Sequence, residues 1–364
     1  MKIAILGSRG IPAHYGGFET LADEVSTRLV KRGHEVTVYC CKPYSTTTAK
    51  TYAGVERVVL PAFRAKHLEK PLYAFLSLLH VCPRTLDAVL MLGVSVSAFC
   101  FIPRLFGKKM AINVDGLEWR RKKWGRVAAW YLRFSEKASG VTADAVVTDA
   151  RWIRDYYREC YGVDSVFIAY GTDTDISPPG AALSRYGLTE RGYILYVSRF
   201  EPENNALLVR EAFEKIAHPG KRLVMVGDAP FAKEYVRKVR NTDNPNIVFT
   251  GSLYGASYRE LLSHAYCYVQ ATEVGGTHPS LVEAMGTGNC VLANDVPEHR
   301  EVLGGAGIYY RGKEELTEKL IMLMSDEKLV EERRGVAAGL AKAEYSWERV
   351  TDEYEKLFRR LVGK

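Results

Sequence analysis

Short apolar runs of strand character alternate twice along this chain with stretches of helical period, and that alternation leaves few folds open. The first series starts at Lys2-Ile-Ala-Ile-Leu6 and continues through Glu35–Cys41, Ala88–Leu92, Met110–Val114 and Ala145–Thr148. The second starts at Tyr193–Val197 and continues through Leu223–Val226, Ile247–Phe249, Tyr266–Val269 and Val291–Ala293. Near-continuous apolar strands separated by helices are typical of parallel sheets covered on both faces. Gly171–Gly192, with Ser177-Pro-Pro-Gly180 inside it, separates the two series and reads as an interdomain linker. A last helix is expected over Trp347–Val362, with Ser346 placed to cap it. The expected fold class is α/β, with two Rossmann-like domains facing one another across a cleft lined by the carboxyl ends of their strands.

Two glycine-rich turns sit at such ends. After the first strand comes Gly7-Ser-Arg-Gly-Ile-Pro-Ala-His-Tyr-Gly-Gly17, then a helix over Phe18–Arg32 that Gly33 ends. The turn lacks Gly-x-Gly-x-x-Gly, which argues against NAD or FAD. It is also longer than a dinucleotide turn needs to be, and long loops tend to be functional. The second turn lies in Glu273-Val-Gly-Gly-Thr-His-Pro-Ser-Leu-Val-Glu-Ala-Met-Gly-Thr-Gly288. Here Pro279-Ser280 open a helix that carries Glu283 one turn in. Free N–H groups and the positive dipole end make such a start a seat for phosphate. A carboxylate just inside the helix can accept from ribose hydroxyls. The stretch reads either as a nucleoside-diphosphate clamp or as an ordinary βαβ crossover with glycines for packing.

Composition narrows the setting. The seven cysteines, without a CxxC spacing, read as thiols of a reducing compartment rather than as disulfides or a metal site. The amino terminus reads as a first strand and not as a signal peptide, and no apolar run reaches membrane-spanning length. The net charge is +7, and the excess lies in the first half. Trp119-Arg-Arg-Lys-Lys-Trp-Gly-Arg126 and Arg64–Phe75 interleave cations with apolar anchors. That pattern suits an anionic membrane surface or a lipid-diphosphate acceptor, and a plain solvated face remains the alternative. No RNA-binding motif accompanies it, so no nucleic-acid partner is expected.

Four motifs in order then carry a resemblance: Gly10-Ile-Pro-Ala-His-Tyr-Gly-Gly-Phe-Glu-Thr20, Asn113-Val-Asp-Gly-Leu-Glu-Trp119, Arg199-Phe-Glu-Pro-Glu-Asn-Asn205 and Val274–Met285. Across nearly the whole length the chain resembles the retaining family 4 glycosyltransferases of GT-B type, and within them a subgroup of bacterial rhamnosyltransferases of polysaccharide assembly. The resemblance implies an acceptor-side domain over 1–170, a nucleotide-sugar domain over 171–345, and a C-terminal helix, 346–364, returning toward the N-terminal domain. It implies a nucleotide-diphosphate sugar as co-substrate, no cofactor and no metal. Asp173-Thr-Asp175, the one Asp-x-Asp, reads as turn chemistry. The expected activity is transfer of L-rhamnose from dTDP-rhamnose to a lipid-linked saccharide, by an enzyme seated on the cytoplasmic face of the inner membrane. Alternatives are a UDP- or GDP-sugar donor, or a sugar-nucleotide epimerase on the same fold. A purely binding role would leave Arg199 and Glu283 unexplained.

The resemblance also assigns roles. Arg199 grips the leaving diphosphate, and Glu283 takes the ribose. Gly16 and Gly17 let backbone approach phosphate. Asn204, Gly276, Thr277, His278, Ser280 and Leu281 line the donor. Asp115 orients the acceptor hydroxyl or takes its proton, unless it only makes an Asx turn before Gly116. His14 and Glu118 lie on the acceptor side. Two departures from the family stand out. The family's first of two glutamates is replaced by Gly275, so backbone N–H groups or His278 are the expected substitutes. Its lysine five residues after the arginine is replaced by Asn204, so phosphate neutralisation leans on Arg199, helix N-termini and Arg9.

Overall fold

The structure is a computed structural model and describes residues 1–14, 16–45, 47–62, 69–121, 124–217, 220–230 and 232–363. The chain divides into two compact units, one of residues 1–171 with 347–364, the other of residues 172–346.

The first unit holds β1 (Lys2–Leu6), β2 (Glu35–Cys41), β3 (Thr51–Tyr52), β4 (Val55–Leu60), β5 (Ala88–Leu92), β6 (Lys109–Asn113), β7 (Ala145–Thr148) and β8 (Val166–Phe167). They form one sheet in the order β3-β4-β2-β1-β5-β6-β7-β8, parallel except for the β3–β4 pair. Its helices are α1 (Gly17–Lys31), α2 (Glu69–Val81), α3 (Phe101–Leu105), α4 (Arg126–Thr142) and α5 (Arg151–Tyr161). Alternation along β1 sets two cores. Ile3 and Ile5 pack with Leu21, Val25 and Leu29 of α1, whereas Ala4 and Leu6 pack with Tyr73 and Leu78 of α2.

The second unit holds α6 (Ala181–Arg185), β9 (Tyr193–Val197), α7 (Ala206–Glu214), β10 (Arg222–Val226), α8 (Lys233–Arg240), β11 (Ile247–Gly251), α9 (Gly255–Ser263), β12 (Cys267–Gln270), α10 (Pro279–Gly286), β13 (Cys290–Asn294), α11 (Pro297–Leu303), β14 (Ile308–Tyr310), α12 (Gly312–Ser325) and α13 (Glu327–Glu344). Its strand order is β11-β10-β9-β12-β13-β14, all parallel. The last helix, α14 (Trp347–Val362), packs in the first unit. There Trp347, Val350, Tyr354, Leu357 and Phe358 join the core that Ile3 and Ile5 share with α1.

Residues 172–192 are not a free connector, as their composition suggested. Glu260 of α9 accepts from the N–H groups of Gly180, Ala182 and Leu183 at 2.8, 3.1 and 2.9 Å, serving the start of α6 as a cap borrowed from another helix. Burial alone would push the Glu260 carboxyl up, but the three donors outweigh it and hold the group below the usual range. Ser263 Oγ accepts from the Ser177 N–H at 3.0 Å. The segment is thus sewn into the second unit.

Helix α4 is built the wrong way round for a soluble protein. Its buried face carries Ser135, Glu136 and Ser139 beside Leu132. Burial pushes the Glu136 carboxyl up to about 7, against hydrogen bonds from Tyr156 and Tyr161. Its outward face carries Val127, Trp130, Phe134 and Val141, all exposed.

Candidate functional site

Two loops at the carboxyl ends of adjacent strands meet in the second unit. Strand β9 pairs with β12, and the loop after each runs beside the other. Asn205, in the left-handed region at φ +58°, donates from Nδ2 to the Ala271 carbonyl at 2.9 Å and to Glu273 Oε1 at 3.1 Å. The Glu273 N–H donates to the Glu203 carbonyl at 2.9 Å. Phe200, fully buried, anchors the first loop. Arg199 beside it is exposed, and its guanidinium makes no ion pair among the described residues. A cation held by its backbone but free at its tip is suited to an anionic ligand.

Asn204 differs from the expectation of a direct donor contact. Its side chain turns inward, 6% exposed, and donates to the Arg199 carbonyl at 2.7 Å. The Tyr196 hydroxyl donates to the Asn204 carbonyl at 2.6 Å. Asn204 therefore fixes the backbone that presents Arg199. Glu203 was not anticipated. It is buried, and neither carboxylate oxygen has a hydrogen-bond partner among the described residues. Its only sequence signal was an acid inside the Arg199–Asn205 motif.

After β12 the chain turns through Gly275 and Gly276 into α10, with His278 at the N-cap position. A Cβ on Gly275 would lie 2.3 Å from the His278 ring. The histidine thus fills the space that a side chain at 275 would need, which ties the missing glutamate to the presence of the imidazole. The His278 ring stands 5.2 Å from that of His299 on α11. His299 is fully buried, with Nδ1 against the Asn294 carbonyl at 2.8 Å. Burial holds its pKa down, to about 4, so it stays neutral. Gly275→Ala is expected to cost about 1–3 kcal/mol of stability by overpacking, and His278→Ala on that background is expected to restore most of it. Thermal unfolding of the three variants checks this.

Thr277 is buried and Ser280 half-buried at the helix start. The Leu281 side chain is fully buried and its N–H donates to the His278 carbonyl at 3.0 Å, so it serves the helix core rather than the open edge. Glu283, half-buried one turn into α10, accepts from the Tyr258 hydroxyl of α9 at 2.5 Å. That bond occupies Oε2 and aims the carboxylate.

The first unit carries the remaining candidate residues, His14, Gly16, Gly17, Asp115 and Glu118. Gly16 and Gly17 start α1, and acids of that helix hold the preceding loop: Glu19 Oε1 accepts from the Arg9 N–H at 2.7 Å, and Asp23 Oδ2 from the Ala13 N–H at 2.9 Å. His14 is exposed on this loop. The Arg9 guanidinium lies 4.2 Å over the Tyr44 ring and 3.7 Å from Glu69, so it already has local partners. Asp115 sits at φ +57°, a conformation short polar residues tolerate. Asn113 makes the Asx turn there, with Oδ1 accepting the Asp115 N–H at 3.0 Å. Asn113 Nδ2 in turn donates to the Tyr354 hydroxyl of α14 at 2.7 Å. Burial pushes the Asp115 carboxyl up, against the charge of Arg121.

Glu118 is engaged within its own loop. Arg121 Nε reaches it at 2.7 Å and Trp124 Nε1 donates at 3.1 Å. Trp119 and Trp124 are half-buried against the core and are not exposed anchors. Lys122, Lys123 and residues 64–68 of the two basic stretches lie outside the described residues. Asp173 pairs with Arg259 at 3.7 Å. Among the described residues no cluster of three His, Cys, Asp or Glu has metal-holding geometry, and no helix is long and apolar enough to cross a membrane.

Residues 191–326, which hold both loops and α10, match the family model described as glycosyl transferases group 1. This segment is thus similar to the group 1 glycosyl transferases. Residues 1–173 match a domain of unknown function, DUF1972. The phosphatidyl-myo-inositol mannosyltransferase of Mycobacterium tuberculosis is 26% identical over 224 residues, 58% of each chain. The chain therefore matches little more than half the length of that curated relative. Among solved structures, sucrose-phosphate synthase from Thermosynechococcus elongatus superposes with a TM-score of 0.81 at 18% identity, over 100% of this chain and 99% of that one. Anabaena HepE, in complex with UDP and glucose, gives 0.78 at 14% identity over 98% of both. The fold of the chain is accordingly of GT-B type, with two parallel-sheet units.

Proposed function

We propose that this protein is a retaining hexosyltransferase that takes its sugar from a nucleoside-diphosphate donor held in the second unit. The observation that carries the reading is the union of the β9 and β12 loops: it gathers an ion-pair-free guanidinium, a helix start and an aimed carboxylate at one edge of one sheet. Arg199 and the helix start take the diphosphate, and Glu283 the ribose. Gly276, Thr277, His278 and Ser280 line the donor sugar, with His278 in place of the absent glutamate. In the reaction the bond from the anomeric carbon to the diphosphate oxygen breaks while the acceptor oxygen bonds that carbon on the same face. The acceptor proton passes to the departing diphosphate. The protein contributes positioning and charge stabilisation.

The favoured donor is dTDP-L-rhamnose and the favoured acceptor a lipid-linked saccharide, met at the cytoplasmic face of the membrane. Asp115, its carboxyl raised by burial, positions the acceptor hydroxyl, His14 and Glu118 serve the acceptor side, and Gly16 and Gly17 let backbone approach the phosphates. A relative named for a phosphatidyl-inositol acceptor supports a lipid-borne substrate. The test is transfer from a panel of dTDP-, UDP- and GDP-sugars to lipid-linked acceptors, run with and without EDTA. Transfer from one donor that EDTA leaves unchanged is expected. Transfer abolished by EDTA would remove the metal-free reading, and donor isomerisation without transfer would point to an epimerase.

A further inference from the structure

The exposed apolar side chains of the first unit are not scattered. On α4 they fall at Val127, Trp130, Phe134 and Val141, spacings that put them on one helix face. Val127 is 82% exposed and Trp130 69%, and the Trp130 and Phe134 rings stack at 6.1 Å. Helix α3 adds Leu105, 76% exposed, and Phe106 follows it. Arg104 of α3 donates to the Val141 carbonyl at the end of α4 at 3.0 Å, and the turn just before α3 is tied to α4 as well, Tyr131 donating to the Ser95 carbonyl at 2.9 Å and Thr142 to the Ser97 carbonyl at 2.7 Å. The exposed apolar side chains of α3 therefore lie at the Val141 end of the α4 stripe. Single exposed hydrophobics need no explanation, but a contiguous set does.

The charges on this surface select the occupant. Arg126 and Lys137, both exposed, flank the aromatics on α4, whereas the Arg133 guanidinium lies 5.1 Å from the Trp119 ring. The one acid of the helix, Glu136, points inward. Residues 99–141 hold ten Lys or Arg against Asp115, Glu118 and Glu136, and Glu118 is taken up by Arg121 and Trp124. The nearest other acid, Asp144, pairs with Arg104 at 3.3 Å. A protein partner of ordinary surface would bring acids and bases alike. An aromatic stripe bordered by cations alone matches anionic headgroups above and acyl chain below.

We propose that the outer face of α3 and α4 docks on an anionic bilayer, with Trp130 and Phe134 as anchors. This rests on the lipid-borne acceptor proposed above, and it places the docking face next in sequence to the Asp115 loop. It also moves the membrane contact from Trp119 and Trp124, which pack inward, to the helix that follows them.

The experiment is flotation of the full chain with vesicles of phosphatidylglycerol and phosphatidylcholine, against phosphatidylcholine alone. Binding to the anionic vesicles is expected, weakened by salt. Trp130→Glu with Phe134→Glu should reduce it at least about ten-fold, and Arg126→Glu with Lys137→Glu should do so independently. Protection from thermal unfolding by UDP reports that each variant is folded. A wild-type chain that stays out of anionic vesicles, or variants that float as well as it does, would overturn the proposal. So would a wild-type dimer in analytical ultracentrifugation that the aromatic pair variant splits, since a second copy would then be the occupant. Flotation that persists while no donor supports transfer would support docking and count against the transferase reading.

Discussion

Replacing Arg199 with Ala should lower kcat by about 10²–10³-fold, the loss typical of one charge-stabilising donor removed from a leaving group. The donor KM should change far less, because the helix start and Glu283 still hold the ground-state donor. Arg199 makes no ion pair among the described residues and packs no core, so its removal leaves the fold alone. Arg199→Lys keeps the charge but not the fork, and should recover only part of the rate. Steady-state kinetics with the donor that the panel selects would check the split. Equal rates for the Ala variant and wild type would remove the arginine from the mechanism.

Glu283→Gln should weaken nucleoside-diphosphate binding, and the size of the effect should depend on the nucleotide. A charge-assisted hydrogen bond contributes about 1.5–3 kcal/mol, which is on the order of 10–100-fold in Kd. UDP offers two ribose hydroxyls, whereas dTDP, a deoxynucleotide, offers only the 3′-hydroxyl. The substitution should therefore cost UDP more than dTDP. Tyr258→Phe, which removes the hydroxyl that aims Glu283 from 2.5 Å, should give a smaller loss in the same direction. Calorimetric titration of both nucleotides into wild type and the two variants reads all of this. A Glu283→Gln protein that binds UDP like wild type would assign the ribose elsewhere.

Much of the scaffold is legible in residue order because buried parallel strands have little freedom in composition. Runs such as Lys2–Leu6, Ala88–Leu92 and Tyr193–Val197 have the same bounds in the structure as in the sequence. Helix α2 escaped because its apolar residues, Leu72 to Leu79, are dense on all sides and show little period. The inverted polarity of helix α4 is not legible either, since periodicity gives a face and not its direction. Loop side chains were harder still. Asn204 and Glu118 are polar residues in functional-looking motifs, and both turn back to their own loops. No spacing rule separates a residue that touches a ligand from one that holds its neighbour. The relation of Gly275 to His278 is different: the departure from the family pattern was visible in the sequence, and its steric reason only in space.

The bond from Tyr354 to Asn113 joins positions 241 residues apart, within a single hydrophobic core. During synthesis the strands of the first unit leave the ribosome long before Trp347–Val362 is translated. Until Trp347–Val362 is translated, Ile3, Leu21 and Val25 lack the apolar neighbours that close over them. The nascent amino-terminal half must therefore wait, incompletely covered, while the whole second unit is made. A chain cut before Trp347 therefore cannot seal its own first sheet.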